Sequence, residues 1–222
     1  MNTLLLVGNI SLNISFFLYL ILYIPQIIHN RHTEHLLNLS LSMHFLLYTA
    51  YLSDLFYGYS SHLPWQYKTV SMVGLSLLII QHLQLTNHFM KNQKQTKVIF
   101  NFLFFIFTLA TCYYFFIIQH TELTASTTLI IGSISRAFYL LYCLPQIIKN
   151  KILKSANAMS IQFLYLNLSL SILDMISAWC LNWGWPNKIS APVMSLASIL
   201  MLLQVKKYRF QIAINRFNYE NL

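Results

Sequence analysis

Residues 23 to 30 read Tyr-Ile-Pro-Gln-Ile-Ile-His-Asn, and residues 143 to 150 read Cys-Leu-Pro-Gln-Ile-Ile-Lys-Asn. The two stretches lie 120 residues apart, and at this offset residues 8 to 90 align with 128 to 210 without a gap, with nineteen identical positions. A shared apolar composition would not produce the polar, aromatic and proline identities, which include Ser15/Ser135, Tyr19/Tyr139, Ser40/Ser160, Asp54/Asp174, Trp65/Trp185 and Gln84/Gln204. The chain is therefore an internal duplication.

The composition is that of a membrane protein. Apolar residues make up 57% of the 222 positions and charged residues only 9%, against about 25% charged residues in a soluble domain. A helix needs about 20 apolar residues to cross a bilayer. Seven runs approach or exceed this length: 4–28, 37–57, 69–90, 97–119, 125–149, 159–181 and 189–206. We therefore predict an all-α membrane protein with seven transmembrane helices, and its first apolar run is too long for a signal peptide.

The repeat and the spans together predict a 3+1+3 arrangement. Each copy contains three spans, so an unpaired fourth span is needed to give both copies the same orientation. The first repeat then covers residues 1–90, the linker helix 91–124, the second repeat 125–210 and a tail 211–222. The expected architecture is two parallel three-helix bundles joined by one transmembrane helix.

Basic residues fall mostly on one side of the predicted spans. Of the fourteen Lys and Arg residues, eleven lie in alternate links or in the tail: Arg31, Lys91, Lys94, Lys97, Lys149, Lys151, Lys154, Lys206, Lys207, Arg209 and Arg216. The positive-inside rule then places the C-terminus in the cytosol and the N-terminus outside or in a lumen. This topology and the anionic lipid headgroups of a bilayer explain the net charge of +9. We therefore expect the lipid bilayer as a partner, and no nucleic acid.

Pro25 and Pro145 are predicted to kink their helices. Proline lacks the N–H of the helical ladder and clashes with the carbonyl four residues earlier. Gln26 and Gln146 would then hydrogen-bond either the freed carbonyls or an adjacent helix, since polar groups in a membrane need partners. A kink near one end of a span can serve as a hinge, and a static kink with Gln at an interface is the alternative.

The paired Pro-Gln motifs, set in a seven-span duplication, resemble those of the PQ-loop proteins over nearly the whole chain. That family includes lysosomal exporters of cystine (cystinosin) and of cationic amino acids, and the SWEET sugar transporters and the KDEL receptor are relatives. The resemblance implies alternating access, in which two bundles rock about Pro25 and Pro145 around a central site. It defines the architecture better than it defines the substrate.

Four polar residues inside the predicted spans are candidates for substrate binding: Asp54, Arg136, Asn167 and Asp174. Each Asp follows its Ser40 or Ser160 by fourteen residues, about 21 Å along a helix, so both acids should lie toward the outer half. Ser160, Asn167 and Asp174 recur every seven residues and therefore share one face of a helix. Charged residues within a membrane mark functional sites by default.

Arg136 and the acids leave two interpretations open. Arg136 could pair with an Asp as a structural salt bridge, or it could hold a substrate carboxylate with its planar fork. If an Asp also held an ammonium group, the substrate would be a zwitterion such as an amino acid. A buried Asp that exchanged a proton would couple transport to protons. Cystinosin-like proteins have an acid at the position that matches Asn167, so the amide here argues against cystine transport of that kind.

The sequence thus predicts a transporter of a small amino-acid-like solute, such as a cationic amino acid or cystine, coupled to protons. A SWEET-like sugar facilitator and a cargo receptor similar to the KDEL receptor are the alternatives, and a scaffold or sensor could use the same fold. The sequence contains no enzymatic motif and predicts no cofactor and no metal site. We expect a monomer or homodimer in a bacterial inner membrane, with a lysosomal or vacuolar membrane as the alternative.

Overall fold

The computed structural model describes residues 3–63, 65–120, 122–183 and 185–220, and every regular element within them is helical. The helices are α1 (Thr3–Ile21), α2 (Ile24–His29), α3 (Thr33–Asn38), α4 (Leu41–Ser60), α5 (Trp65–Lys91), α6 (Gln95–Tyr113), α7 (Ala125–Leu141), α8 (Cys143–Leu153), α9 (Ile161–Cys180) and α10 (Trp185–Glu220). A π-helical turn, Tyr114–Ile118, directly follows α6. The all-helical prediction is confirmed for the described part of the chain.

The two halves of the chain form matching helices. α4 and α9 have 20 residues each and begin 120 positions apart. Both are capped in the same way: the Ser40 hydroxyl accepts from Met43 N at 3.3 Å, and the Ser160 hydroxyl accepts from Phe163 N at 3.5 Å. A serine oxygen stabilises a helix start because it accepts from a backbone N–H that has no partner within the helix. The sequence repeat is therefore also a repeat of helices and caps.

The first helix of each repeat is interrupted next to its proline. α1 ends at Ile21, and α2 begins one residue before Pro25; α7 ends at Leu141, and α8 begins two residues before Pro145. Ile21 and Leu141 are the residues, four positions earlier, whose carbonyls the proline rings would meet in a continuous helix. The predicted interruptions are confirmed, and the use of either proline as a hinge stays a prediction.

Six helical segments are long and apolar enough to cross a membrane: Thr3–His29, Trp65–Lys91, Gln95–Ile118, Ala125–Leu153, Ile161–Cys180 and Lys188–Tyr208. They indicate an integral membrane protein. The predicted second span, 37–57, is helical as α4, but α4 does not belong to these six. Seven spans, the 3+1+3 arrangement and the sides of the two termini therefore stay predictions.

The polar character of α4 is explained by its position inside the bundle. Its buried residues include His44, Tyr48, Tyr51 and Asp54. Across the described residues, none of the exposed large apolar side chains belongs to α4. A helix that other helices cover does not need an apolar face toward lipid, so its sequence can carry polar groups that a lipid-facing helix could not.

The two repeats interlock through their first and second helices. Within each repeat the third helix, α5 or α10, contacts both other helices. Between the repeats, α4 packs along α7 and α9 packs along α1. Glycine permits this close packing, since a methyl group at Gly8 would come within 2.7 Å of Leu181, and one at Gly132 within 2.7 Å of Tyr57. The interface between the repeats is therefore built by α1, α4, α7 and α9.

Candidate functional site

Polar side chains gather at two levels of the interface between the repeats. We call the level of Asp54 and Asp174 the acid end, and the level of Gln26 and Gln146 the Pro-Gln end. Asp54 lies on α4, about four turns from Ser40 at its start, where Gln146 binds. Asp174 lies equally far along α9 from Ser160, where Gln26 binds. The two levels are therefore separate sites on one interface.

At the acid end, Asp54 accepts hydrogen bonds from three hydroxyl groups. Ser71 Oγ donates to Oδ2 at 2.9 Å, Ser135 Oγ donates to Oδ1 at 3.0 Å, and the Tyr67 hydroxyl donates to Oδ1. Arg136 Nη2 lies 3.8 Å from Oδ1 and donates to the Tyr67 oxygen at 2.9 Å. Asp54 is thus a well-compensated buried carboxylate, and the predicted pairing of Arg136 with an acid is present in the structure.

Asp174, the repeat counterpart of Asp54, has a much simpler environment. The Tyr19 hydroxyl donates to its Oδ2 at 2.5 Å, and the Ser15 hydroxyl, also on α1, lies close enough to interact with the carboxylate. Among the described residues, no Lys, Arg or His lies within ion-pair distance of Asp174. The reason is in the sequence, because Phe16 and Ala191 occupy the positions that match Arg136 and Ser71. The two acids are therefore equivalent in position and different in chemistry.

Asn167 lies on α9 about two turns before Asp174, on the same face, and bonds within its own repeat. Its Nδ2 donates to Ser198 Oγ at 2.9 Å and to the Tyr142 hydroxyl at 3.3 Å. The first repeat has three buried leucines at the matching positions, Leu22, Leu47 and Leu78. This polar trio is therefore an asymmetric feature, and it makes no hydrogen bond to Asp54, Arg136 or Asp174 among the contacts of the described residues.

An aromatic layer fills the interface between the two ends. The ring centres of Tyr23 and Tyr51 are 5.7 Å apart, those of Tyr51 and Tyr139 5.3 Å, and those of Tyr23 and Phe163 5.6 Å. The two Tyr–Tyr pairs are edge-to-face and the Tyr23–Phe163 pair is tilted, and rings packed in this way leave little room for water. In this conformation the acid end and the Pro-Gln end are separated by aromatic side chains from both repeats.

At the Pro-Gln end, Gln26 joins the first repeat to the second. Its Nε2 donates to Ala158 O at 2.9 Å and to Asn30 Oδ1 at 2.8 Å, and its Oε1 accepts from Ser160 N at 2.8 Å. Gln26 is buried, so each of these polar atoms needs a partner from the protein. The glutamine therefore ties the interrupted first helix to the start of α9.

Gln146 makes the same set of bonds in the opposite direction. Its Nε2 donates to Asn38 O at 3.1 Å and to Asn150 Oδ1 at 2.7 Å, and its Oε1 accepts from Ser40 N at 2.7 Å. The sequence left two kinds of partner open for these glutamines, the freed carbonyls of their own helix or an adjacent helix. In the structure both glutamines bond to the segment before the second helix of the other repeat. We call these paired contacts the Gln clamps.

Lys149 and His29 occupy matching positions beside the Gln clamps. Lys149 Nζ donates to Leu37 O and to Leu39 O, both at 2.9 Å, while His29 Nε2 contacts Asn157 O at 2.8 Å. Asn157 is the repeat counterpart of Leu37, so both side chains hold the same part of the backbone in the opposite repeat. The contacts between the repeats are therefore symmetric in position, but Lys149 makes two of them and His29 makes one.

Lys149→Met is expected to loosen the Pro-Gln end more than His29→Met, because it removes two hydrogen bonds from a charged donor. Cys143 is a natural reporter, since its thiol is free and 1% exposed at the start of α8. With Cys112 and Cys180 replaced by alanine, the rate of Cys143 modification by a maleimide should rise about fivefold in Lys149→Met and less in His29→Met. Equal rates in the two variants would contradict this asymmetry.

Of the residues predicted from sequence, the structure brings Asp54 and Arg136 together and leaves Asp174 and Asn167 with separate partners. Sequence reasoning missed Tyr19, Tyr67, Ser71 and Ser135 as partners of the acids. Tyr19 and Ser135 carried a signal, because each is identical to its repeat counterpart. Within the described residues, no group of three or more His, Cys, Asp and Glu side chains could hold a metal ion.

Comparison with known families supports the duplication. The family described as PQ loop repeat matches the chain twice, at residues 7–67 and 128–187, together more than half of its length. Each match extends from the first helix of a repeat to the start of its third helix and so contains one Gln clamp and one acid. Among individual curated proteins, none matches the chain significantly. A closer similarity to cystinosin, SWEET proteins or the KDEL receptor stays a prediction.

Proposed function

The chain belongs to the PQ-loop repeat family, whose members are transporters or receptors rather than enzymes, and on this basis we propose that it transports a small amino-acid-like solute by alternating access, coupled to protons. The observation that carries the proposal is the difference between the two acids. Asp54 is compensated by Arg136 and three hydroxyl groups, whereas among the described side chains Asp174 has the hydroxyl groups of Tyr19 and Ser15 and no cation within 4 Å. Equivalent positions with unequal chemistry suit a solute whose two ends differ.

Arg136 and Asp174 would bind the two charges of a zwitterion. Arg136 keeps 24% of its side-chain surface exposed and reaches Asp54 only at 3.8 Å, so its guanidinium retains donors for a substrate carboxylate. Asp174 would accept the ammonium group. Amino acids with a cationic side chain fit this description, and so does cystine, which carries two ammonium and two carboxylate groups.

Asp174 is also the group that we assign to proton exchange. Its carboxyl group can take up a proton without breaking an ion pair, because no cation lies within 4 Å of it in the described part of the chain. Protonation of Asp54, by contrast, would leave Arg136 without its partner. In the proposed cycle, Asp174 releases its proton when the solute ammonium binds and takes one up as the solute leaves, so protons and solute cross in opposite directions.

The Gln clamps would form the gate at the Pro-Gln end. Four of their hydrogen bonds cross between the repeats, and at about 1 kcal/mol of net stabilisation each they contribute about 4 kcal/mol to closure. A solute that binds with millimolar affinity releases about 4 kcal/mol. Solute binding can offset clamp opening of this size if the solute binds the open state more tightly than the closed state by a comparable free energy, with Pro25 and Pro145 as the hinges.

For the membrane arrangement, we infer that α4 is a seventh crossing. Its 20 residues extend about 30 Å, the thickness of the hydrocarbon layer. The N-terminus would then lie outside or in a lumen and the C-terminus in the cytosol, so that the Pro-Gln end faces the cytosol. We propose a bacterial inner membrane, with a lysosomal or vacuolar membrane as the alternative, and a monomer or homodimer.

A SWEET-like sugar facilitator is the second candidate function. It is favoured by the polar trio of Asn167, Tyr142 and Ser198, which offers neutral hydrogen-bonding groups within the bundle. A sugar would use these groups, and the acids would then be structural. Such a facilitator would be indifferent to a proton gradient.

The test is uptake of labelled amino acids and sugars into proteoliposomes without a proton gradient, with an inward gradient and with an outward gradient. A solute ammonium that displaces the Asp174 proton predicts stimulation by the outward gradient. Asp174→Asn keeps the side-chain shape and should abolish the gradient-stimulated part of amino-acid uptake. Glu122→Gln, an exposed substitution between α6 and α7, is the control and should leave uptake unchanged. Sugar uptake that ignores both the gradient and Asp174→Asn would favour the facilitator, and no uptake of either class would favour a receptor.

A further inference from the structure

A histidine pair lies at the Pro-Gln end of the first repeat. His44 on α4 and His82 on α5 are 3% and 1% exposed, and His44 Nε2 lies 3.1 Å from His82 Nδ1. His82 Nε2 lies 2.9 Å from the backbone oxygen of Asn101 on α6. The three groups form one chain of hydrogen bonds that runs from the linker helix toward the interface between the repeats.

The carbonyl at the end of this chain determines where the ring hydrogens lie. A carbonyl oxygen only accepts, so His82 Nε2 carries the hydrogen and His82 Nδ1, in a neutral ring, is an acceptor. His44 Nε2 must then donate to His82, which leaves His44 Nδ1 as a bare acceptor. No acidic side chain contacts the pair among the described residues, and its other titratable neighbours are the phenols of Tyr48 and Tyr23.

His44 Nδ1 is buried and has no hydrogen-bond partner within the described part of the chain. His44 lines a small cavity together with Tyr23, Gln26 and Gln81, and the cavity is about large enough for one water molecule. Buried acceptors without a partner are rare, because nothing repays their loss of hydration. The bare nitrogen therefore marks a place where a hydrogen-bond donor binds, next to the Gln26 clamp.

The second repeat has no polar groups at these positions. Leu164, Leu202 and Met201 match His44, His82 and Gln81. Apolar side chains are thus compatible with this architecture at all three places, so packing alone does not require the histidines. The polar groups occur as a set on one side of the interface, which is the pattern expected of a binding site for an asymmetric molecule.

We propose that His44 Nδ1 is a solute-binding acceptor at the Pro-Gln end, where it takes a hydrogen bond from an N–H or O–H donor of the transported solute and from water when the solute is absent. This inference rests on the proposed transport function. His82 and Asn101 act through His44, as positioning groups that hold its ring in the accepting tautomer. The solute would meet this site after leaving the acid end, once the aromatic layer and the Gln26 clamp have moved.

The tautomer is tested by nitrogen NMR of protein with ¹⁵N-labelled histidine rings in lipid nanodiscs, with the signals of His44 assigned from His44→Leu. We expect a neutral ring with a bare Nδ1 at neutral pH, and a shift of that signal on addition of the amino acids or sugars of the uptake panel. A hydrogen on Nδ1, or no shift with a solute that the proteoliposomes take up, would overturn the proposal. The tautomer itself is read without any solute, so this arm separates failure of the site from failure of the transport function.

The affinity is tested by uptake in proteoliposomes. His44→Leu should raise the half-saturating concentration about tenfold with little change in maximal rate, as expected for one lost hydrogen bond, and His82→Leu should give a smaller rise because His44 survives without its positioning partner. His88→Leu is the matched control, since His88 is a buried histidine on the same helix that contacts Asn92 instead. An unchanged half-saturating concentration in His44→Leu would mean that His44 Nδ1 binds only water and not the solute, and it would overturn the proposal.

Discussion

Replacing Arg136 with leucine is expected to lower the free energy of unfolding by about 3 kcal/mol, because it leaves a buried carboxylate without its cation. Asp54 is 6% exposed and would retain only the hydroxyl groups of Ser71, Ser135 and Tyr67. The value belongs to the lower end for a broken buried pair, since Arg136 is itself partly exposed. Equilibrium unfolding of the purified protein in mixed micelles would measure it.

The double variant Asp54→Asn/Arg136→Leu is the decisive control. With the negative charge removed, the loss of Arg136 should cost much less, so the double variant should be more stable than Arg136→Leu alone. Phe16, the repeat counterpart of Arg136, indicates that an apolar side chain can pack at the matching place in α1. If the double variant were no more stable than Arg136→Leu, the charge on Asp54 would not be the reason for the loss.

The repeat made most of the helical framework predictable from sequence. An offset of 120 residues matched the starts of α4 and α9 and the capping serines before them, because the same local signals occur in both copies. α4 was predicted as a span, yet it is the helix that falls outside the six apolar segments. A hydropathy threshold selects helices whose side chains suit contact with lipid, and α4 contacts mainly other helices.

The candidate site was predictable only in part. The depth of a residue along its helix was sufficient to place Arg136 at the level of the two acids. Arg136 is counted from Pro145 and the acids from Ser40 and Ser160, all of which lie near the same end of the bundle. It could not supply the partners of each acid, because Ser135 and Asp54 are 81 residues apart and Tyr19 and Asp174 are 155 apart. Such contacts depend on which helices of the two repeats pack together, and that choice is a property of the whole fold.

The two ends of the interface differ in how closely the hydrogen bonds of one repeat match those of the other. At the Pro-Gln end, Gln26 and Gln146 keep the same bonds in both directions. At the acid end, the carboxylates are retained and their partners differ. Closure benefits from symmetry, because two equal clamps hold both repeats against each other. Recognition of an asymmetric solute requires the opposite, and polar groups differ between the copies around the acids and at the cavity beside His44.

Replacing Gln146 with leucine is expected to open the Pro-Gln end and to raise the rate of Cys143 modification by about 10- to 100-fold. The substitution leaves Ser40 N and Asn38 O without partners in the closed state, at a cost of about 1–3 kcal/mol for each unpaired buried group. The cost is smaller in the open state because water can hydrogen-bond to these two groups. Each 1.4 kcal/mol of relative destabilisation changes the open population about tenfold.

Cys143 should report this opening because its repeat counterpart, Tyr23, lines the cavity next to Gln26. The rate would be measured with a maleimide in the Cys112→Ala/Cys180→Ala background, so that a single thiol reacts. Gln26→Leu should act similarly, since its clamp has the same bonds, whereas Gln119→Leu, beside the π-helical turn, should leave the rate unchanged. A rate in Gln146→Leu equal to that of the parent would mean that the Gln clamps do not hold the gate, and that closure depends on the aromatic layer and Lys149 instead.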